Sequence, residues 1–509
     1  MGYRENLTLL PVILASVAAC ADLRSNAPIA EPAAERLNIV LIVADDLGVN
    51  DLSLSGNPEA RTPNIDMLAS EGVQYSHAYA TSPVCTTSRA ALMTGRYQQR
   101  FGVESNPSPR ALALQTFADD DGAIVIDERA GDPAYGQRGL PPTAVTVAER
   151  LRSAGYRTAL FGKWHLGQAP GFTPNDQGFD HFFGFLGGAS MFAERDDEAV
   201  VGARLDWNGL DNFLWDRLRY NLQFNGDEAE ERGYQTDVFA EAAARFISGS
   251  AQSPFFVTVA FNAPHNPLQA PQDYYDARAD IEPHHRRVYY SMVDALDDGV
   301  GTILEAIERA GLSDRTLVIF TSDNGGARYI RVPEVNAPLR GFKATFWDGG
   351  IRVPLIVRDP GVSESPRRVD QPVSLLDIVP TIMQAAGLEA EGDMFDGSNL
   401  FDQAAQPDRL LFWRNNSLWA VRRGDWKLIR DERRNRSWLY NLVDDPNERN
   451  DLSAMFPDRV AELTSAYSHA VADMPERTGW APNYLLPVRA DPHGHDSTRN
   501  IDDWIYWAG

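Results

Sequence analysis

Asn38-Ile39-Val40-Leu41-Ile42-Val43, running into Ala44-Asp45-Asp46, is the stretch whose reading decides the fold. The run is apolar without alternation and rich in β-branched residues. That is how a strand reads when helices cover both faces of a parallel sheet. Two adjacent carboxylates then fall at the carboxyl end of the strand. They repel each other unless a cation holds them, and this edge is where open α/β sheets bind ligands.

Similar runs recur at Tyr156 to Phe161, Phe255 to Phe261, Thr316 to Thr321 and Val353 to Val357. Helical periodicity fills the intervals at Thr143 to Ala154, Thr236 to Ile247, Val288 to Ala310 and Ser374 to Ala386. Strands alternating with helices predict an α/β fold, a large and mostly parallel sheet sandwiched by helices. After Gly387 the pattern changes to short aromatic-rich runs at Leu410 to Trp413, Leu418 to Arg422, Trp426 to Arg430 and Trp438 to Leu442, then a helical stretch from Asp458 to Met474. These predict a smaller C-terminal subdomain, an antiparallel sheet plus a helix, over residues 388–509, with the main domain at 36–387. Glu104 to Gly139 and Gly187 to Gly233 lack periodicity and read as insertions near a site.

At 509 residues with a net charge of −24, the chain offers no basic face for nucleic acid. An anionic ligand would need a local basic pocket. Two cysteines exclude a disulfide framework. Cys20 closes an apolar run from Leu7 to Ala19, the length of a signal-peptide core, and Val17-Ala18-Ala19-Cys20 is similar to a bacterial lipobox. Residues 1–20 are therefore expected to direct export to the periplasm or lipid anchoring at the outer membrane through Cys20, with 21–35 a flexible tether.

The chemistry-bearing residues collect behind strands. Asp323-Asn324 follows the Thr316 run as Asp45-Asp46 follows the first, giving three carboxylates and an amide oxygen, a hard-oxygen set suited to Ca²⁺ or Mg²⁺. Gly162-Lys163-Trp164-His165 and Asn262-Ala263-Pro264-His265 follow two further runs, and Gly341-Phe342-Lys343 leads through Trp347-Asp348-Gly349-Gly350 into the Val353 run. Cys85 precedes a helical stretch from Ser88 to Thr94, four residues before Arg89. A helix start favours an anion, although taken alone Cys85 and Arg89 read rather as a buried structural thiol and a surface ion pair.

With these motifs together, the chain resembles the type I formylglycine-dependent sulfatases of the alkaline-phosphatase-like superfamily, particularly bacterial polysaccharide sulfatases. The resemblance runs from about Leu37 into the C-terminal sheet. It implies hydrolysis of a sulfate ester, with Cys85 oxidised by a formylglycine-generating or sulfatase-maturing enzyme. It also implies Ca²⁺ held by Asp45, Asp46, Asp323, Asn324 and the residue-85 oxygen, Arg89 steadying that residue, Lys163 and Lys343 on the sulfate, His265 as acid to the leaving alcohol and His165 as the proton acceptor that releases sulfate. The modification motif has Pro or Ala two positions after Cys; this chain has Thr87. It also has Asp348 where Glu is more common.

A sulfated carbohydrate is the expected substrate, with Trp207, Trp215, Trp347, Trp413 and Trp419 as ring-stacking candidates. Arg328, Arg331, His284, His285, Arg286 and Arg287 are candidates for further acidic groups. The rival readings are a phosphate or phosphonate ester hydrolase of the same superfamily, and a non-catalytic glycan-binding lipoprotein should Cys85 stay a thiol.

Overall fold

The computed structural model describes residues 36–107, 135–362, 367–390, 394–405, 408–415, 418–432 and 434–475, with the short strands Ile124–Val125, Asn483–Pro487 and Trp504–Trp507. The expected leader, its Cys20 and the tether lie outside the described residues, as does most of the Glu104 to Gly139 insertion.

Asn38–Ala44 is β1, and its side chains divide cleanly between two cores. Val40, Ile42 and Ala44 join the hydrophobic cluster on one face of the sheet, and Ile39, Leu41 and Val43 join the one on the other. Arg157–Lys163 (β2), His181–Phe185 (β3), Phe255–Ala260 (β4) and Thr316–Ser322 (β5) pair in parallel around it, in the spatial order β5-β1-β4-β2-β3. Short strands, most of them paired antiparallel, extend both edges to ten strands among the described residues.

Helices cover both faces, as the buried runs require. Cys85–Thr94 (α1), Val147–Ser153 (α2) and Ile378–Ala385 pack on one side, and Gln235–Gly249 and His284–Arg309 on the other. α2 starts later than periodicity suggests because Thr146 and Glu149 form a reciprocal capping box that sets its first turn.

The run from Val353 to Val357 is not one parallel strand. Pro354 cannot donate to a ladder, and the chain splits there. Arg352–Val353 joins a small separate sheet, while Leu355–Arg358 pairs antiparallel to β5.

Leu410–Asn415, Leu418–Arg423, Trp426–Asp431 and Arg436–Asn441 form the C-terminal antiparallel meander, followed by the helix Pro457–Ala470. One of its faces shares a core with Tyr79, Phe346, Trp347 and Ile351, and the other with Ala91 of α1, Tyr97 and Leu376. Trp347, Trp413 and Trp419 are consumed in these cores, at most 9% exposed, so they are structural residues and not surfaces for a sugar ring. Trp215 is half-buried under Gly202. Of the five tryptophans singled out, only Trp207 is exposed, at 40%.

Candidate active site

Parallel register assembles the site. Ala44 of β1 lies opposite Ser322 of β5, so the residues that follow each strand emerge side by side. Asp46 N–H donates to Asp323 Oδ1 at 3.3 Å, and Asn324 Nδ2 donates to Asp46 Oδ1 at 2.8 Å. A slip of one residue would send one pair to the opposite face of the sheet. The Asp-Asn-Gly-Gly and Asp-Gly-Gly glycines serve this assembly by letting backbones touch. Gly325 N–H donates to Gly350 O at 3.0 Å, and a Cβ on Gly325 would stand 2.0 Å from Gly349 O. Lys343 is placed by the same contact, its N–H donating to Gly326 O at 3.0 Å.

Cys85 is the first residue of α1, a turn earlier than the Ser88 start expected, and all ten residues of that helix are buried. Its Sγ lies 3.5 Å from Asp45 Oδ1 and 3.8 Å from Asp46 Oδ1. Lys163 Nζ donates to Asp45 Oδ2 at 2.6 Å, and Lys343 Nζ lies 2.8 Å from both oxygens of Asp46. Arg89 Nε donates to Asp323 Oδ2 at 2.7 Å, with Nη2 3.6 Å from Asp45. Burial opposes ionisation of Asp45 and Asp46, but Lys163, His265 and Arg89 around the first, and Lys343 and His265 around the second, hold both below the usual carboxylate range. Burial dominates at Asp323 and raises it despite Arg89. Burial also pushes the Cys85 thiol far up. A thiol so held is not a nucleophilic thiolate.

The site residues expected from the sequence thus converge on one buried cluster at the carboxyl edge of the sheet. A family model described as "Sulfatase" matches residues 37–388. The mouse steryl-sulfatase is 32% identical over 486 residues, covering 81% of this chain and 73% of that one. The rat N-acetylgalactosamine-6-sulfatase is 34% identical over 402 residues, covering 77% and 70%. The chain belongs to the sulfatase family. Among solved structures it is similar to Ps i-CgsB, with a TM-score of 0.73 and 31% identity over 87% of this chain and 94% of that one; that protein is also known in complex with k-i-k-neocarrahexaose. A phosphonate monoester hydrolase of Agrobacterium radiobacter, 21% identical with a TM-score of 0.57, shares the fold.

In this sulfatase the chemistry available is hydrolysis of a sulfuric ester. The ligand atoms of Asp45, Asp46, Cys85 and His265 lie within 4.8 Å of one another, a buried cluster that fits a metal ion. Asp323 stands outside that cluster, engaged by Arg89. Asn324 turns Nδ2 to Asp46, leaving its Oδ1 buried without a hydrogen-bond donor, an orphan that a cation would satisfy. His265 Nδ1 donates to Asn266 O at 2.6 Å, which leaves Nε2 facing Asp46 Oδ2 at 3.6 Å. His165 Nδ1 is buried with no partner; burial, then Lys163, Arg89 and Lys343, hold this imidazole neutral far below its ordinary pKa. Asp46, His165 and Ala344, beside Lys343, all have left-handed φ of 61° to 72°. Each such residue costs about 1–3 kcal/mol, and such strain clusters at functional sites.

Sequence reasoning missed three residues here. Tyr329 O–H donates to Asn266 Oδ1 at 2.9 Å and lies 3.5 Å from Asp46 Oδ2. Asn266 Nδ2 in turn donates to Asp211 Oδ1 at 2.6 Å. Tyr329 follows the Arg328 that was singled out, and Asn266 follows His265, so only proximity hinted at them. Of the basic candidates, Arg286 is spent on Glu59 and Glu334, while Arg287 and His284 pack on Tyr275.

Proposed function

We propose that this sulfatase removes a sulfate ester from a sulfated carbohydrate, using a formylglycine made from Cys85 by a maturation enzyme together with a bound Ca²⁺. The observation that carries the reading is Cys85 at the first turn of α1, within 3.8 Å of two carboxylates that are each gripped by a lysine. Asp45, Asp46, Asp323 and Asn324 would hold the cation, with Mg²⁺ as the alternative ion. The ion supplies charge neutralisation at the sulfuryl oxygens, and the hydrated aldehyde supplies the oxygen nucleophile.

The chain's own residues divide the remaining work. Lys163 and Lys343 bring two fixed positive charges to the sulfate. Arg89 orients residue 85 from one turn further along α1. His265, steadied at Nδ1 by Asn266 O, delivers a proton from Nε2 to the leaving alcohol oxygen as the imidazolium, a form that burial and Lys343 oppose and Asp46 favours. His165 accepts one at a ring nitrogen, which its neutral state permits. Thr87 turns its hydroxyl back onto Val84 O at 2.9 Å inside the helix. It therefore leaves the Cys85 backbone in the first turn of the folded helix undisturbed. The protein acts after export, in the periplasm or anchored through lipid on Cys20.

The test is the mass of the tryptic peptide Thr62 to Arg89 from protein co-produced with a maturation enzyme, followed by sulfate release from sulfated oligosaccharides. An aldehyde or its hydrate at residue 85, with activity lost in Cys85→Ala, is expected. A plain thiol in an active preparation would refute the mechanism.

A further inference from the structure

Trp207 and Arg331 form a platform linked through Tyr329 to the buried cluster. Trp207 Nε1 donates to Tyr329 O at 2.9 Å, and His285 meets its ring edge-on at 5.0 Å. The Arg331 guanidinium lies 4.4 Å over the indole, an arrangement that cation–π attraction holds. Arg331 also has a left-handed φ of 53°, a conformation few non-glycine residues adopt. It is exposed, and among the described residues no carboxylate pairs with it, whereas Arg204, Arg286 and Arg287 nearby all have one. In a chain of net charge −24, an unneutralised and pre-positioned guanidinium is where an anionic ligand gains most.

The platform is joined to the cluster from two directions, and both meet at Asn266. Arg331 is two residues, at most ~7 Å of chain, from Tyr329, whose hydroxyl binds Asn266 Oδ1 and reaches Asp46. Trp207 precedes Asn208, which caps the helix Gly209–Arg217, and Asp211 of that helix accepts from Asn266 Nδ2. Asn266 is the residue whose carbonyl fixes His265. A group held on the platform is thereby held in register with the proposed acid.

From this geometry we infer that Trp207 and Arg331 form a binding subsite for a second acidic group, sulfate or carboxylate, on the sugar next to the one that carries the scissile sulfate. The substrate class is then a polyanionic oligosaccharide. The inference rests on the carbohydrate reading above.

The experiment compares wild type with Arg331→Gln, Arg331→Lys and Trp207→Ala, each first checked for an unchanged melting temperature. Four sulfate esters are used: a small aryl sulfate, an oligosaccharide with one sulfate, the same with a sulfate on the adjacent sugar, and the same with an adjacent uronate. Arg331→Gln and Trp207→Ala are expected to raise KM about tenfold or more on the doubly acidic substrate, with kcat little changed, and to leave aryl sulfate turnover within about twofold. Arg331→Lys recovers part of the loss. Whichever of the sulfate and uronate arms shows the larger loss identifies the group bound. Equal losses on all four substrates, or none on the doubly acidic ones while wild type cleaves them, would overturn the subsite alone. Wild type that cleaves only the aryl sulfate would overturn the carbohydrate reading and the subsite with it.

Discussion

The molecule contains two buried clusters of charge that look alike in composition and differ in closure. Around Cys85, three carboxylates meet Lys163, Lys343 and Arg89. Below the C-terminal sheet, Asp348 and Glu448 meet Lys427, with Arg352 and Arg422 beside them. In the second cluster each carboxylate oxygen has a polar or charged group within 2.8 Å, Lys427 Nζ and Tyr79 O–H at Asp348, Lys427 Nζ and the Asp348 N–H at Glu448, and Glu448 Oε1 alone meets its lysine as an ion pair without hydrogen-bond geometry. In the first, Asn324 Oδ1, His165 Nδ1 and Arg89 Nη2 are buried without a hydrogen-bond partner. Matched charge makes a cluster tolerable; three leftover polar atoms of different kinds against one already ion-paired oxygen distinguish the cluster shaped for a ligand from the one shaped to hold a sheet in place.

That contrast is most exposed to failure at Lys427. Lys427→Met leaves two buried carboxylates without their shared cation and is expected to destabilise the fold by about 3–5 kcal/mol. The molecules that remain folded should keep most of their sulfatase activity. Denaturant melts and specific activity on the same samples check this, and a stable but inactive variant would show that the closed cluster is catalytic. Asp323→Asn should do the reverse. Sulfate release is expected to fall roughly a hundred- to thousandfold, about 2.7–4 kcal/mol, with the melt in chelator little changed, because removing one of three repelling carboxylates relieves as much as it loses.

Ion addition separates the clusters next. Ca²⁺ at a hundred times its dissociation constant is expected to stabilise wild type by about 2.7 kcal/mol. Asp46→Asn should abolish that shift, and Lys427→Met should retain it; an equal shift in all three would place the ion elsewhere. The smallest effect concerns pH. Burial raises Glu448 to about 7, opposed by Lys427 and helped by Asp348, while the cations around Asp348 offset its burial and lower it to about 2. A lowered carboxylate contributes stability that is lost as pH falls through 2. A raised one makes the native state bind the extra proton, so stability declines as pH rises from 4.5 to 7. Glu448→Gln should flatten that decline by about 1–2 kcal/mol, read as melting temperatures at pH 5 and 8. A parallel pair of curves would mean Glu448 is ionised throughout.

Much of this was legible in the sequence because it is local. The Asn38–Val43 run announced a doubly covered strand, and Asp45-Asp46, Lys163, His165, His265, Asp323 and Lys343 each stand directly behind a run or a glycine motif. What stayed hidden depends on long-range register. Asp348, Lys427 and Glu448 are a hundred residues apart at the extremes, and nothing near Lys427 distinguishes it from a solvated lysine. Asn266 as a hub, and the burial of Trp347, Trp413 and Trp419, follow from which faces meet, which periodicity does not encode. Pro354 stands in plain view, and it splits what the apolar run around it predicts to be one strand.

The burial of Cys85 also imposes an order in time. The side chain is 1% exposed, at the start of a helix wedged between the large sheet and the C-terminal meander. A second protein's catalytic centre cannot close around a side chain lodged in this way. On the proposed reading, the oxidation that arms the enzyme has to be finished on the chain before α1 docks. Activity would then be settled by a race between maturation and folding, and a molecule that folds first would stay well formed and permanently unarmed.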